Sequence, residues 1–142
     1  MQDRFKFRCF DKKNKCMHYP TRHSNFSIVN GVIVKFESYL TGNGVYRGKR
    51  VAYEFDDAIL MQCTGLKDKN GRLIYEGDIL GGIYENLYIH WCDKCKQFQL
   101  KAQVFGCVAC EGDIYWYEVV EDNNKLEVIG NIYENPELLE GD

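Results

Sequence analysis

The chain has 142 residues and a mass of 16.6 kDa, with 45% hydrophobic, 27% charged and 14% aromatic residues. That is enough to bury one core without staples, and it is the composition of a globular protein rather than a disordered tail. No apolar run approaches the roughly 18 residues that span a bilayer, and the N-terminal MQDRFKFRCF lacks a signal-peptide core. The expectation is therefore a cytoplasmic protein with no membrane partner. In that compartment the seven cysteines are reduced thiols or metal ligands.

The net charge of −3 conceals a dipolar chain: residues 1–25 carry +5, residues 111–142 carry −9, and the middle is close to neutral. Solvated ends explain this, as does pairing of the basic end with the acidic end or with an acidic partner.

Taken in chain order, the pattern is β nearly throughout. From Arg4 to Cys9 cations alternate with apolar residues, predicting a strand that buries Phe5, Phe7 and Cys9 and exposes Arg4, Lys6 and Arg8. Asp11 to Lys15 is a polar turn, and Cys16 to Tyr19 returns as the partner strand before Pro20. Phe26 to Phe36 predicts a second hairpin about Asn30-Gly31, the strongest short hairpin signal.

The glycine-rich stretch Tyr39 to Gly48 reads as a loop. Further strands are predicted at Val51–Phe55, Ile59–Cys63, Leu87–Trp91, Gln97–Val104, Asp113–Val120 and Leu126–Ile132, with one helical turn at Pro136–Leu139. Between them, Gly65 to Ile79 (GLKDKNGRLIYEGDI) sets a turn cluster before a short apolar run and a second tight turn. The fold expected is mainly β: short strands in twisted hairpins forming a barrel-like or sandwich-like domain over 1–142. Two β lobes, about 1–63 and 64–142, are the variant of that organisation.

Three blocks, KFRCFDKKNKCMHYP, TGLKDKNGRLIYEGDI and LEVIGNIYENPELL, in this order and spacing closely resemble the YopX family of small phage and prophage proteins. The resemblance implies a mainly-β fold, bacteriophage or prophage origin and a tendency to self-associate. It implies no catalytic activity and carries over no catalytic residues.

Two Cys-x-x-Cys pairs, Cys92/Cys95 and Cys107/Cys110, form the constellation with the clearest chemistry, a candidate structural zinc site whose four thiolates leave no open position. Against it, an unbroken strand from Gln97 to Val104 would span about 26 Å and hold the pairs apart. Reduced cysteines in hairpin turns are the alternative. Cys9 and Cys16 are candidates to face each other across the first hairpin as reduced thiols, and His18, His23 and His90 are scattered without triad spacing. The carboxylates Asp56, Asp57, Glu76, Asp78 and Glu85 fit turn-capping better than acid-base chemistry.

The functional expectation is an accessory, non-enzymatic protein-binding module, homo-oligomeric or bound to a host or phage protein. Ten Tyr, eight Phe and two Trp supply aromatic anchors, with Tyr39, Tyr46, Tyr84, Tyr88 and Tyr115 the candidate cluster. Nucleic-acid binding is the second reading, through Arg4, Lys6, Arg8, Lys12, Lys13 and Lys15 with Phe10 and Tyr19 to stack on bases. The sequence pI near 5.6 opposes it. A zinc-stabilised binding module is the third.

Overall fold

A computed structural model describes residues 6–21, 24–40, 42–44, 46–55, 57–82, 86–94, 96–101, 114–115 and 125–140, without the side chains of 39–40, 46–47, 49–53, 101 and 114–115. The protein is mainly β: these residues form twelve strands and a 3-10 turn at Pro136–Leu139. No helix among them is long and apolar enough to cross a membrane. The chain divides into two compact units, Phe5–Gln62 and a second made chiefly of Cys63–Asp142.

In the first unit β1 (Phe7–Asp11) pairs antiparallel with β2 (Cys16–His18) on one side and with β6 (Ala58–Lys67) over Ala58 to Gln62 on the other. A separate antiparallel sheet runs β3 (Ser24–Val29), β4 (Val32–Leu40), β5 (Tyr46–Glu54). Its first hairpin closes through Asn30 and Gly31, at φ 50° and 80°, with Val29 opposite Val32. Two consecutive positive φ values are the requirement of a type I′ turn, whose twist matches that of the strands. Cys9, Phe26 and Phe55 form the buried centre, with Phe7, Ile33, Ala58 and Leu60 packed around it. The Phe55 ring meets His18 edge-on at 5.1 Å and Phe26 at 6.0 Å.

Two expectations change here. Arg8 is not exposed but fully buried, because β1 is covered on both faces, so alternation no longer separates core from solvent. The expected loop from Tyr39 to Gly48 is shorter: β4 extends to Leu40 and β5 begins at Tyr46. The ladder absorbs irregularity through register shifts at Lys35/Phe36 and Ser38/Leu40, and Gly48 takes a φ of 136° within β5.

The second unit begins within β6, whose later half pairs with β7 (Leu73–Tyr75) through Cys63–Tyr75 and Lys67–Leu73. A five-stranded antiparallel sheet then follows the order β11 (Ile114–Tyr115), β10 (Gln97–Lys101), β9 (Leu87–Cys92), β8 (Asp78–Gly81), β12 (Glu127–Asn131). Ile74, Leu80, Leu87, Ile89, Leu100, Leu126 and Val128 form its core. β8 is buried at every position, which explains why a run as short as Asp78-Ile79-Leu80-Gly81 shows no alternation.

The turn cluster after β6 is organised by Asp68, 6% exposed. Its Oδ1 accepts the backbone N–H groups of Asn70 and Arg72, each at 2.9 Å, and its Oδ2 accepts that of Val128 at 3.0 Å. Lys69 N–H donates to the Leu126 carbonyl at 2.9 Å, and Glu127 takes Asn70 Nδ2 at 3.1 Å and Lys69 Nζ at 3.0 Å. One carboxylate thus shapes its own turn and fastens it to β12. Asp78, 1% exposed, plays a local version of this role by accepting Tyr75 N–H at 2.8 Å across the Glu76-Gly77 turn. Gly77 donates to Ile89 O at 2.8 Å and accepts from Ile132 N–H at 2.9 Å.

Beyond β12, Asn131 Oδ1 accepts the N–H groups of Tyr133 and Glu134 and starts the path to the 3-10 turn. A Cβ at Gly130 would stand 2.6 Å from Asn135 Oδ1, so a larger residue there must displace the Asn135 and Leu138 side chains. At Gly82 a Cβ would stand 2.1 Å from the Lys125 carbonyl, at a φ of +97°.

Burial pushes the Asp68 carboxyl up, but hydrogen bonds from Val128, Arg72 and Asn70 together with the Arg72 charge hold it below its ordinary value. Its contribution to stability is therefore complete above the unfolded-state pKa of about 3.9 and is lost as pH falls through the lower folded value. Asp68→Ala should cost about 3 kcal/mol in denaturant unfolding, since it strands buried backbone donors. Asp68→Asn should flatten the acid limb of a stability-pH profile below about pH 4. Gly82→Ala should cost at least about 2 kcal/mol, through contact with backbone and strain at positive φ together.

Candidate functional site

The cations of the first hairpin divide into two kinds. Lys12, Lys13 and Lys15 lie exposed in the β1–β2 turn, with Lys15 at a φ of 54° and Lys12 Nζ 3.5 Å from Asp57 Oδ1. Both groups of that pair are well exposed, so it adds little to stability. Asp11 orders the turn: Oδ1 accepts Lys13 N–H at 3.0 Å and Asn14 N–H at 3.2 Å, and Oδ2 accepts Asn14 Nδ2 at 2.7 Å. The Asn14 side-chain amide, against the opposing effect of burial, holds the Asp11 carboxyl below its ordinary value, helped by the backbone donors.

Lys6 is half-buried and Arg4 lies outside the described residues. The Arg8 guanidinium sits 5.9 Å from the centroid of the Tyr19 ring, with NH1 3.5 Å from the Tyr19 hydroxyl. It is thus internal structure, and Phe10 at 8% exposure is likewise core rather than a platform for bases. Of the proposed basic face, only the turn lysines are exposed among the described residues.

Of the candidate zinc ligands, Cys92 is a buried cysteine at the end of β9, in no disulfide among the described residues, its carbonyl accepting Lys96 N–H at 2.7 Å. Cys95, Cys107 and Cys110 lie outside the described residues. Cys9 and Cys16 likewise form no disulfide among the described residues, and they are not cross-strand partners: the register sets Cys9 opposite His18 and Cys16 opposite Asp11. Burial pushes the Cys9 thiol up to about 12, with Asp11 and Cys16 adding to the effect. His23, Asp56 and Glu85 also lie outside the described residues, and Asp78 caps a turn as its position suggests.

Tyr88 belongs to the core, 5% exposed, while the side chains of Tyr39, Tyr46, Tyr84 and Tyr115 lie outside the described set. The exposed large apolar residues are found elsewhere. Ile28 is 60% exposed, Val29 41% and Val32 40%, all at the end of the β3–β4 hairpin. Along β3, Ser24 and Phe26 are buried, and Ile28 continues their face beyond the point where the core covers it. Ile28 pairs across the ladder with Ile33, and Val29 with Val32, so both faces of the arm end in aliphatic side chains. Sequence reading placed these residues on the apolar arms of a hairpin; the two-residue turn beside them was the signal that they lie at a tip.

Substitution should separate the two kinds of cation. Arg8→Glu, burying an anion where a cation stacks on Tyr19, should lower stability by about 3 kcal/mol or more. Reversing Lys12, Lys13 and Lys15 together should change it by less than about 1 kcal/mol. Chemical denaturation of the two variants checks both outcomes.

The chain resembles a crystal structure of protein EF1440 from Enterococcus faecalis, with 29% sequence identity, a TM-score of 0.63 and coverage of 95% of this chain and 97% of that one. No curated protein matches it. The family model described as YopX protein matches residues 6–140, a span that contains the β1–β2 hairpin, the Asp68 turn and the last strand. With nearly the whole chain matched, the protein belongs to the YopX family.

Proposed function

We propose that this protein is a non-catalytic, self-associating β module, an accessory of phage or prophage origin acting in the host cytosol, and that the β3–β4 arm is its contact surface. The exposure of Ile28, Val29 and Val32 on one hairpin tip is the observation that carries this reading. Single exposed apolar residues are ordinary, but here three flank one two-residue turn, Ile28 on one face of the arm and the paired Val29 and Val32 on the other, so the tip presents aliphatic side chains to water on both faces. β3 is an end strand of its sheet, so the tip adjoins a ladder edge that a second strand can extend. A second copy offering the same edge would close a symmetric pair, burying both tips with no other chain needed.

The self-association is tested by the mass of the protein in solution as a function of concentration. Ile28→Lys should weaken the dimer at least tenfold, about 1.4 kcal/mol, while leaving unfolding stability within about 0.5 kcal/mol. A wild-type mass that stays monomeric at all concentrations, or a dimer indifferent to Ile28→Lys, sinks the reading.

A further inference from the structure

We propose that the β1–β2 hairpin is a binding site for a divalent transition metal of the zinc class, held by Asp11, Cys16 and His18 with a fourth position open. Among the described residues these form the one grouping of three metal-ligating side chains, their ligand atoms all within 4.8 Å of one another. The register explains the grouping. Asp11 lies directly opposite Cys16 in the ladder, and His18 follows Cys16 by two residues, so all three side chains leave the same face.

The distances fit a tetrahedral ion. Bonds of about 2.3 Å to sulfur and 2.0–2.2 Å to nitrogen and oxygen place neighbouring ligand atoms roughly 3.4–3.6 Å apart. Cys16 Sγ and His18 Nε2 already stand 3.3 Å apart. The 4.8 Å bound on the remaining pairs leaves about 1 Å to close, within reach of side-chain rotation.

The surroundings orient the ligands in the manner of metal centres. Asp11 is 3% exposed, and its carboxylate is fixed by Lys13 N–H, Asn14 N–H and Asn14 Nδ2, which use both lone pairs of Oδ1 and one of Oδ2. Among the described residues, one lone pair of Oδ2 is left for an ion. The His18 ring is positioned by its edge-on contact with Phe55. Cys16 and His18 are half-buried rather than enclosed. Thiolate, imidazole and carboxylate together select zinc, cobalt or nickel over magnesium and calcium, which prefer all-oxygen sites. A dication bound by two anionic ligands is neutral overall, which limits repulsion from the neighbouring turn lysines.

This site draws on different residues from the Cys92/Cys95/Cys107/Cys110 set and differs from it chemically: one sulfur rather than four, and an open position rather than a closed shell. The test uses the full-length protein, stripped of metal under reducing conditions and titrated with Co2+, then with Zn2+ in competition. Expected are one equivalent of Co2+ with charge-transfer absorption of a single thiolate, displaced by Zn2+ and retained in Cys92→Ser. The signal should vanish in Cys16→Ser and bind about tenfold or more weakly in His18→Gln and Asp11→Asn. In unmutated protein, one equivalent of Zn2+ should shift the imidazole NMR resonances of His18 and leave those of His90 in place, a readout independent of any variant's folding. Absence of thiolate absorption, its survival in folded Cys16→Ser, a multi-thiolate intensity lost in Cys92→Ser, or an unmoved His18 ring would each overturn the proposal.

Discussion

The second unit is held together around one buried anion. Asp68 bonds to Asn70 and Arg72 within its own turn and to Val128 on the last strand, partners 60 residues apart from it in the latter case. A carboxylate does this better than a neutral side chain, because both oxygens accept from N–H donors at once and charge-assisted bonds roughly double the strength of neutral ones. Burial of the charge is costly without those donors, so the same residue that joins turn to strand also forbids alternatives in which the donors are displaced. The core beneath, Ile74, Leu80, Leu126 and Val128 among its members, is assembled from the segments this carboxylate brings together.

Seen in this way, the residues that mark the family are occupied with architecture. Asp68, Asn70, Asp78, Asn131 and Gly130 all lie in the two blocks GLKDKNGRLIYEGDI and EVIGNIYENPELL. Each shapes a turn, accepts backbone hydrogen bonds, bridges to the last strand or permits close approach. The first hairpin differs. There Asp11 forms an equally well-satisfied turn, but it sets a thiol and an imidazole beside its own carboxylate.

Much of the fold was legible because its signals are local. Asn30-Gly31 named its own turn, the polar run after Asp11 named the first hairpin, and Pro136 opened the 3-10 turn. Misreadings arose where neighbours decide. Arg8 alternates with apolar residues as a surface cation should, yet β1 is buried on both faces and Tyr19 receives its charge. Glycines at 42, 44 and 48 suggested a long loop, whereas hairpin pairing with β4 carries β5 through Gly48. β8 was missed as a strand because burial on both faces removes the alternation that reveals one. Site residues were harder still. The Asp11–Cys16–His18 grouping follows from a cross-strand register, and the exposure of Ile28 follows from where the core ends, neither of which a linear pattern states.

The bond from Val128 to Asp68 also orders events in time. A ribosome releases the chain from its N-terminus, and the pairings of β1 with β2, and of β3 with β4 and β5, involve only residues within the first 62 or so. Those hairpins have their partners while the remainder is still being made. The Asp68 turn has no such freedom, since its third donor and the strand that covers β8 arrive only with residues 127–131. Until then Ile79 and Leu80, both fully buried in the finished protein, face water. β12 therefore acts as the latch of the second unit, and until it pairs the nascent β8 segment is open to contact with other chains.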